Sequence, residues 1–319
     1  MTLRGPFVSE LRRAAVTGGA GFIGSQLVRS MWRDGLDVLV FDSSAEAMER
    51  NNLLPLLDSG RVELLVGEIR REDDLARIVR WRPEVVFHLA AIHFIPSCAA
   101  DPGEAWAINV LGTQRLLRAL RAAPPRALVL ASSAAVYGFA ELPRCEEDTP
   151  VPTEIYGRSK LRCEDLVADF AAIETQTRCV AARLFNVYGP KDTTPHVLPV
   201  IVAAAARGTT LRLGNLWPKR DYVFVSDAAE ALTRIAAGAP GFDVFNVGTG
   251  VPHSVFDLVR TVEDVSGRRV DLVCDPACVR QNDGHLFADG GKLRRASNWE
   301  PRVELKQGLR ELVAAPLSV

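Results

Sequence analysis

Residues 14–25 read AAVTGGAGFIGS, and the reading of the whole chain grows from them. The apolar run 14–16 predicts a short strand that enters a glycine-dense turn. A helix then opens near Phe22 and continues through 26–32. Gly18, Gly21 and Gly24 lie three apart, and Gly19-x-Gly21-x-x-Gly24 also satisfies the dinucleotide-binding fingerprint. One glycine permits the tight turn, one lets backbone approach a pyrophosphate, and one lets the helix pack close on the strand. The helix N-terminus then presents free N–H groups and partial positive charge to phosphates. A glycine-rich turn alone is a weak sign, because any tight turn uses glycine. Here an acid also ends the next expected strand: residues 38–42 read VLVFD, and Asp42 lies 18 residues past Gly24. A carboxylate at that place accepts hydrogen bonds from an adenosine ribose and repels a 2′-phosphate, which favours NAD over NADP. Arg12 and Arg50 are the cations able to alter that preference.

The 319 residues suffice for one large domain or two closely joined ones. Net charge is −1 and the pI is near 6.5, so no basic field points to nucleic acid. No uninterrupted apolar run approaches the ~20 residues of a membrane span. The first residues, MTLRGPFVSELRRAA, lack the apolar core of a signal peptide. Cysteines at 98, 145, 163, 179, 274 and 278 are scattered, with no histidine cluster beside them. Reduced thiols in a cytoplasm are expected, with no bound metal.

Strand and helix patterns alternate after the fingerprint. Strands are expected over 62–66, 85–88, 127–131 and 178–184, and helices over 73–81, 104–122 and 156–174. The fold class is therefore α/β, a doubly wound parallel (Rossmann) sheet. From about Pro190 the elements become short: strands over 211–213 and 243–247, helices over 200–207, 227–236 and 255–266. These predict a smaller α+β substrate-binding domain, 190–319, over the carboxyl ends of a 1–189 dinucleotide domain. The chain has room to cross between the lobes more than once.

Two further segments carry chemistry. Residues 130–138, LASSAAVYG, end an expected strand, and residues 156–160, YGRSK, begin an expected helix. At i and i+4, Tyr156 and Lys160 share one helical face. A lysine cation beside a phenol favours the phenolate and lowers its pKa. Such a phenol exchanges a proton with a sugar hydroxyl while hydride moves to a nicotinamide. Ser133 can bond the same hydroxyl, and Lys160 the nicotinamide ribose. Each residue alone has an ordinary reading as a helix-face residue, a solvated charge or a strand-end cap; their combination with the fingerprint points to catalysis.

The motifs TGGAGFIGS, VGEIR, HLAA, NVLGT, SSAAVYG, YGRSK, RLFNVYGP, KRDYVFVSD and FNVGTG run through nearly the whole chain. It resembles an extended short-chain dehydrogenase/reductase of the NAD-dependent epimerase/dehydratase family, closest in pattern to UDP-sugar 4-epimerases. The resemblance implies that Phe22, Ile23 and Ser43 join the glycines and Asp42 around the cofactor. Glu68 and Ile69 would flank the adenine, although the family more often has Asp where Glu68 stands. Leu89, Ala90 and Ala91 would line the cofactor, Asn109 would hold its site together, and Phe185 would border it. Asn186 would face the sugar diphosphate and Arg220 would clamp a phosphate. His196, Leu198, Arg212 and Leu213 fall where relatives hold the diphosphate and base, and Arg280 near a second phosphate-binding arginine. His93 falls near the nicotinamide and sugar, or is a packed loop histidine. Arg220–Asp221 also reads as a surface ion pair, and His196 as a loop polar residue. A homodimer is the expected state.

Departures from the pattern narrow the chemistry. Common 4,6-dehydratases place Asp-Glu where this chain has Ala134 and Ala135, and decarboxylases carry Glu at the latter. Alanine neither donates nor accepts a proton. Uronate 4-epimerases often have Thr where Asn186 stands. The expected activity is therefore 4-epimerisation of a UDP-hexose through a transient 4-keto sugar. The rivals are a 4-ketoreductase or sugar dehydrogenase with the same triad, dehydration by another acid, a uronate enzyme, and a non-catalytic NAD(H) sensor.

Overall fold

The computed structural model describes residues 11–279 and 284–315. Its strands run β1 (Arg13–Thr17), β2 (Asp37–Asp42), β3 (Val62–Val66), β4 (Val85–His88), β5 (Ala127–Ser133) and β6 (Arg178–Leu184). Then follow β7 (Asn186–Tyr188), β8 (Leu211–Leu213), β9 (Lys219–Phe224), β10 (Gly241–Val247), β11 (Pro252–Ser254) and β12 (Leu272–Cys274). Seven of them form one sheet in the order β10-β6-β5-β4-β1-β2-β3, with every neighbouring pair parallel. The chain starts at β1, runs out to β3 and returns to β4, so the strand order reverses between β1 and β4. In such sheets the crevice at that reversal, beyond the carboxyl ends, takes the ligand.

Both faces of this sheet are covered, which is why its strands read as apolar runs. Ala14, Val16, Val38 and Val40 point to one side and pack with Leu27, Val28 and Met31 of the helix Phe22–Arg33. Ala15, Leu39, Val86 and Leu128 point to the other and pack with Leu75, Ile78, Leu116, Leu120, Val167 and Phe170. The alternation follows the two-residue period of a strand.

The smaller lobe contains a three-stranded sheet, β11-β9-β7, and a two-stranded one, β12-β8. Helices Val197–Arg207, Val255–Ser266 and Leu305–Ala314 cover them around Leu198, Ile201, Tyr222, Leu258 and Leu309.

Two expectations need correction. The strand expected over 243–247 belongs to the large sheet: β10 pairs with β6 and places Val244 opposite Ala181. The helix Val225–Ile235 likewise packs Ala228, Leu232 and Ile235 into the cluster of Leu27 and Met31. The 190–319 segment is thus not one separate unit, because the chain returns to the first lobe for a helix and a strand. Apolar periodicity marks a strand without naming its neighbour, and pairing is decided by residues far away in sequence. The continuous helix expected over 104–122 is interrupted as well. Pro102–Trp106 and Gly112–Leu120 are α-helical, while Ala107–Leu111 between them is a wider π-helical turn. Asn109 sits in that turn, a common setting for functional side chains.

Candidate active site

The fingerprint turn is built by close approach. Gly18 has φ +67°, and a Cβ there would lie 2.8 Å from the backbone nitrogen of Ala90. A methyl at Gly24 would collide with the Gly18 carbonyl, so the helix rests directly on the turn. Gly18 N donates to Phe41 O at 2.8 Å and Gly21 N to Gly18 O at 3.1 Å. The first-turn amides beyond Gly21, those of Phe22 and Ile23 included, have no helical partner, an arrangement that suits an anion. The Phe22 side chain packs against the smaller lobe and that of Ile23 against both lobes, each half-buried.

Asp42 ends β2 and ties that turn down. Its Oδ2 accepts from Ala20 N at 3.0 Å and its Oδ1 from Ser44 N at 3.1 Å. Burial raises its pKa, opposed by the backbone bonds from Ser44, Ala20 and Ser43 and by the charge of Arg50. Ser43 itself is exposed. The Glu68 carboxylate is taken by Arg70, Oε2 to Nη2 at 3.1 Å, and that hydrogen bond is the main reason its pKa is lowered. Ile69 is buried against Gly112. Leu89 and Ala90 follow β4, with Leu89 N on Thr17 O at 3.0 Å and Ala90 N on Thr17 Oγ1 at 3.3 Å. They and Ala91 remain half-buried at the crevice.

Asn109 acts as a staple. Its Oδ1 accepts from Ile92 N at 2.8 Å, and its Nδ2 donates to Ile92 O at 3.0 Å and to Ser159 Oγ at 3.1 Å. It thereby joins the loop after β4 to the helix that carries Lys160.

Ser133, Tyr156 and Lys160 converge at the carboxyl end of β5. Tyr156 and Lys160 lie in the first turns of the helix Ile155–Ile173. Gly157 lets that helix come close, since a methyl there would collide with the Ala135 carbonyl. Tyr156 is hydrogen-bonded to Ser133. Lys160 Nζ lies 5.9 Å from the Tyr156 ring centroid and donates to Ala131 O at 2.8 Å. One expectation fails here. Burial raises the Tyr156 phenol's pKa, with the Ser133 hydrogen bond opposing it. Lys160 does not offset that rise in the free protein: its ammonium is turned onto the Ala131 carbonyl and is itself disfavoured by burial.

The residues expected at the substrate are gathered less tightly. Asn186 is exposed at the start of β7. Arg220 lies over the Phe139 ring, 4.9 Å from its centroid, and donates to the carbonyls of Gly284 and Lys219. Arg220–Asp221 is no surface ion pair: Asp221 is fully buried and accepts from Thr249 N, Thr249 Oγ1, Gly250 N and Ala288 N. His196 stands at the position before the helix Val197–Arg207, with no capping bond from its side chain, and lies 6.0 Å, ring to ring, from His93. His93 Nε2 meets Thr194 Oγ1 at 3.2 Å, so this contact bridges the lobes across the crevice. Although its surface is exposed, its crowded place in the crevice, then His196, then Lys160, lower its pKa to about 4. The side chains of Leu198 and Phe185 are buried in apolar clusters, which leaves only their backbone for a ligand. Arg212 is exposed beside Asp275, at 3.7 Å, and Leu213 follows it on β8. Arg280 lies outside the described residues.

A profile of the NAD dependent epimerase/dehydratase family matches residues 14–248. The chain belongs to that family. It is 33% identical over 309 residues to a UDP-glucose 4-epimerase of Mycolicibacterium smegmatis, covering 94% of this chain and 97% of that one. A UDP-glucose 4-epimerase of Thermus thermophilus, solved in complex with NAD, superposes with a TM-score of 0.85 at 30% identity, over 94% and 97% of the two chains. MoeE5, solved with UDP-glucose and NAD, gives 0.84 at 30% identity over the same shares.

Within this epimerase/dehydratase chain, sequence reading missed two supports of the site. His88 joins Thr17 Oγ1, at 2.6 Å, to Thr113 Oγ1, at 2.8 Å. Burial, helped by Lys160, lowers its imidazole from its ordinary 6.5 to about 3, so it is neutral. Glu164 pairs with Arg183 at 2.8 Å, beside β5 and β6. His88 stands in HLAA and Arg183 in RLFNVYGP, so both were in view as motif letters, but only the fold places their partners. Among the described residues no group of three or more His, Cys, Asp and Glu is placed to hold a metal. No described helix is long and apolar enough to cross a membrane, and the six cysteines are free thiols.

Proposed function

We propose that this chain is an NAD-dependent UDP-hexose 4-epimerase of the UDP-glucose/UDP-galactose type. The observation that carries the reading is the meeting of Tyr156, Ser133 and Lys160 beside a glycine cradle, with Ala134 next to Ser133. That arrangement supplies one proton-exchanging group and no second acid next to it for elimination. The cradle fits a dinucleotide: without Cβ atoms at Gly18 and Gly24 the turn closes directly on the backbone of Ala90 and on the helix, and Asp42 stands at the end of β2. Gly18, Gly21, Gly24, Phe22 and Ile23 would hold the pyrophosphate, Asp42 and Ser43 the adenosine ribose, and Lys160 the nicotinamide ribose. Bound NAD supplies a hydride acceptor for C4 of the sugar and a positive charge at the nicotinamide.

The residues of the chain do the rest. Tyr156, a phenol in the free site, would work as phenolate in the complex, where the Lys160 ammonium favours the anion. It takes the proton of the 4-hydroxyl, which Ser133 orients, and gives it back after the 4-keto sugar has presented its other face. Asn186 and Arg220 grip the diphosphate while the hexose turns. Arg220 suits this because its guanidinium binds phosphate in a bidentate fork. The backbone of Leu198, with His196, Arg212 and Leu213, completes the nucleotide side. Under this reading the enzyme is a cytoplasmic homodimer, a state that light scattering checks.

The test is incubation of purified protein with UDP-glucose, followed by mass spectrometry and proton NMR. An isobaric UDP-galactose product with no net NADH supports the reading, and Tyr156→Phe should abolish it. A product lighter by one water, stoichiometric NADH, or full turnover by the Phe variant would each overturn it.

A further inference from the structure

The catalytic helix buries two charged side chains, and the mechanism above uses one of them. Lys160 and Glu164, one turn apart, are both nearly inaccessible to solvent. With Tyr156 they form a stripe at i, i+4 and i+8. This stripe meets three consecutive residues of β5. Tyr156 bonds Ser133, Lys160 Nζ donates to Ala131 O at 2.8 Å, and Ser132 Oγ donates to Glu164 Oε1 at 2.5 Å. Glu164 also receives a guanidinium fork from β6: Arg183 Nη2 to Oε2 at 2.8 Å and Nε to Oε1 at 3.0 Å. Arg183 and Ser132 are facing partners in the β5–β6 register, so one carboxylate grips two adjacent strands. Arg183 Nη1 continues to Tyr137 Oη at 2.7 Å, and Tyr137 Oη to Asn246 Oδ1 on β10 at 2.9 Å.

We propose that Glu164 is a positioning residue for the active site: docked on Ser132 and Arg183, it sets how the Tyr156–Lys160 stripe meets the end of β5 and serves as counter-charge to Lys160. This rests on the reading of Tyr156 and Lys160 as the catalytic pair. The charges around Lys160 favour it. Burial disfavours the ammonium, and Cys163 and Cys98 oppose that only as thiolates. Burial raises the pKa of both thiols, so they are uncharged near neutrality. His88 and His93, lowered to about 3 and about 4, are neutral as well. Glu164 is the carboxylate left in this group, a smaller influence on Lys160 than burial and one it shares with Arg183. Stability alone is a poor account of the pair, since apolar side chains of similar volume commonly hold a fold as well as a buried ion pair does.

The chain has lysine at positions 160, 191, 219, 292 and 306, so protein labelled with ε-13C-lysine gives few signals, and each titrates separately. In Glu164→Gln the Lys160 midpoint should fall by about one pH unit. Its kcat should drop about tenfold, with KM for the nucleotide sugar changed less than about twofold. Because the single variant strands a buried Arg183, the doubly neutral Glu164→Gln/Arg183→Gln is the companion. It should melt closer to the wild type, shift the lysine less because the neighbouring cation leaves with the carboxylate, and show the same kcat loss, while Glu164→Asp should recover part of both the titration and the rate. A folded single or double variant with wild-type Lys160 titration and kcat would overturn the proposal. If the wild type fails to interconvert UDP-hexoses, the functional reading falls, and the lysine titration still decides the role of Glu164.

Discussion

The two banks of the crevice are held in different ways. On the dinucleotide side the groups nearest the chemistry are fixed by the fold's own backbone: Gly24 against Gly18, Asp42 on Ala20 and Ser44, Lys160 on Ala131, Asn109 on both sides of Ile92. On the substrate side Asn186 and Arg212 are exposed, and Arg220 leans on a ring that is itself partly exposed. A preorganised bank binds a resident cofactor without reordering. A looser bank, which has to keep hold of a turning sugar, orders itself around its ligand.

That contrast is open to attack from both sides. The largest effect is expected at the junction: Tyr156→Phe should lower kcat about 1,000-fold. Nucleotide released on denaturation should stay at the wild-type amount, because the phenol oxygen does not build the cradle. A parallel loss of nucleotide would merge the two functions. Next, Gly24→Ala should lose bound nucleotide and destabilise the fold by about 1–3 kcal/mol, read by denaturant titration, as its methyl meets the Gly18 carbonyl. On the opposite bank Arg220→Ala should raise KM about tenfold, the value of a charged hydrogen bond, with little change in kcat or melting temperature. If it instead unfolds the protein, that bank is as structural as the first.

The smallest effect at neutral pH concerns His88. The unfolded chain binds a proton at this histidine below its ordinary 6.5, while the folded chain refuses it down to about 3. Folding stability is therefore unaffected above that window and falls as pH drops through it, by at most about 1.4 kcal/mol per pH unit from this group. His88→Asn should flatten the acid limb of a stability–pH curve measured by urea titration, and an unchanged slope would place the acid sensitivity elsewhere.

The same contrast explains what could be read in advance. The fingerprint is legible because its demands are on backbone: no Cβ at Gly18 or Gly24 and an acid 18 residues on. Tyr156 and Lys160 are legible because a helix fixes their spacing. The membership of β10 is not, since a seven-residue strand shows its period but not its neighbour β6. The direction of the Tyr156 shift is not legible either, because spacing puts a cation near a phenol without showing that its ammonium is turned to Ala131. Glu164 was passed over for a related reason: it lies two turns along the helix from Tyr156, and its partners Ser132 and Arg183 come from separate strands.

The most direct test of the central claim is to give the enzyme UDP-glucose carrying deuterium at C4 and to follow the label in UDP-galactose by NMR. A hydride taken and returned within one closed site predicts deuterium retained at C4 of the product in full. Label lost to solvent, or passed to a free nicotinamide cofactor, would contradict it.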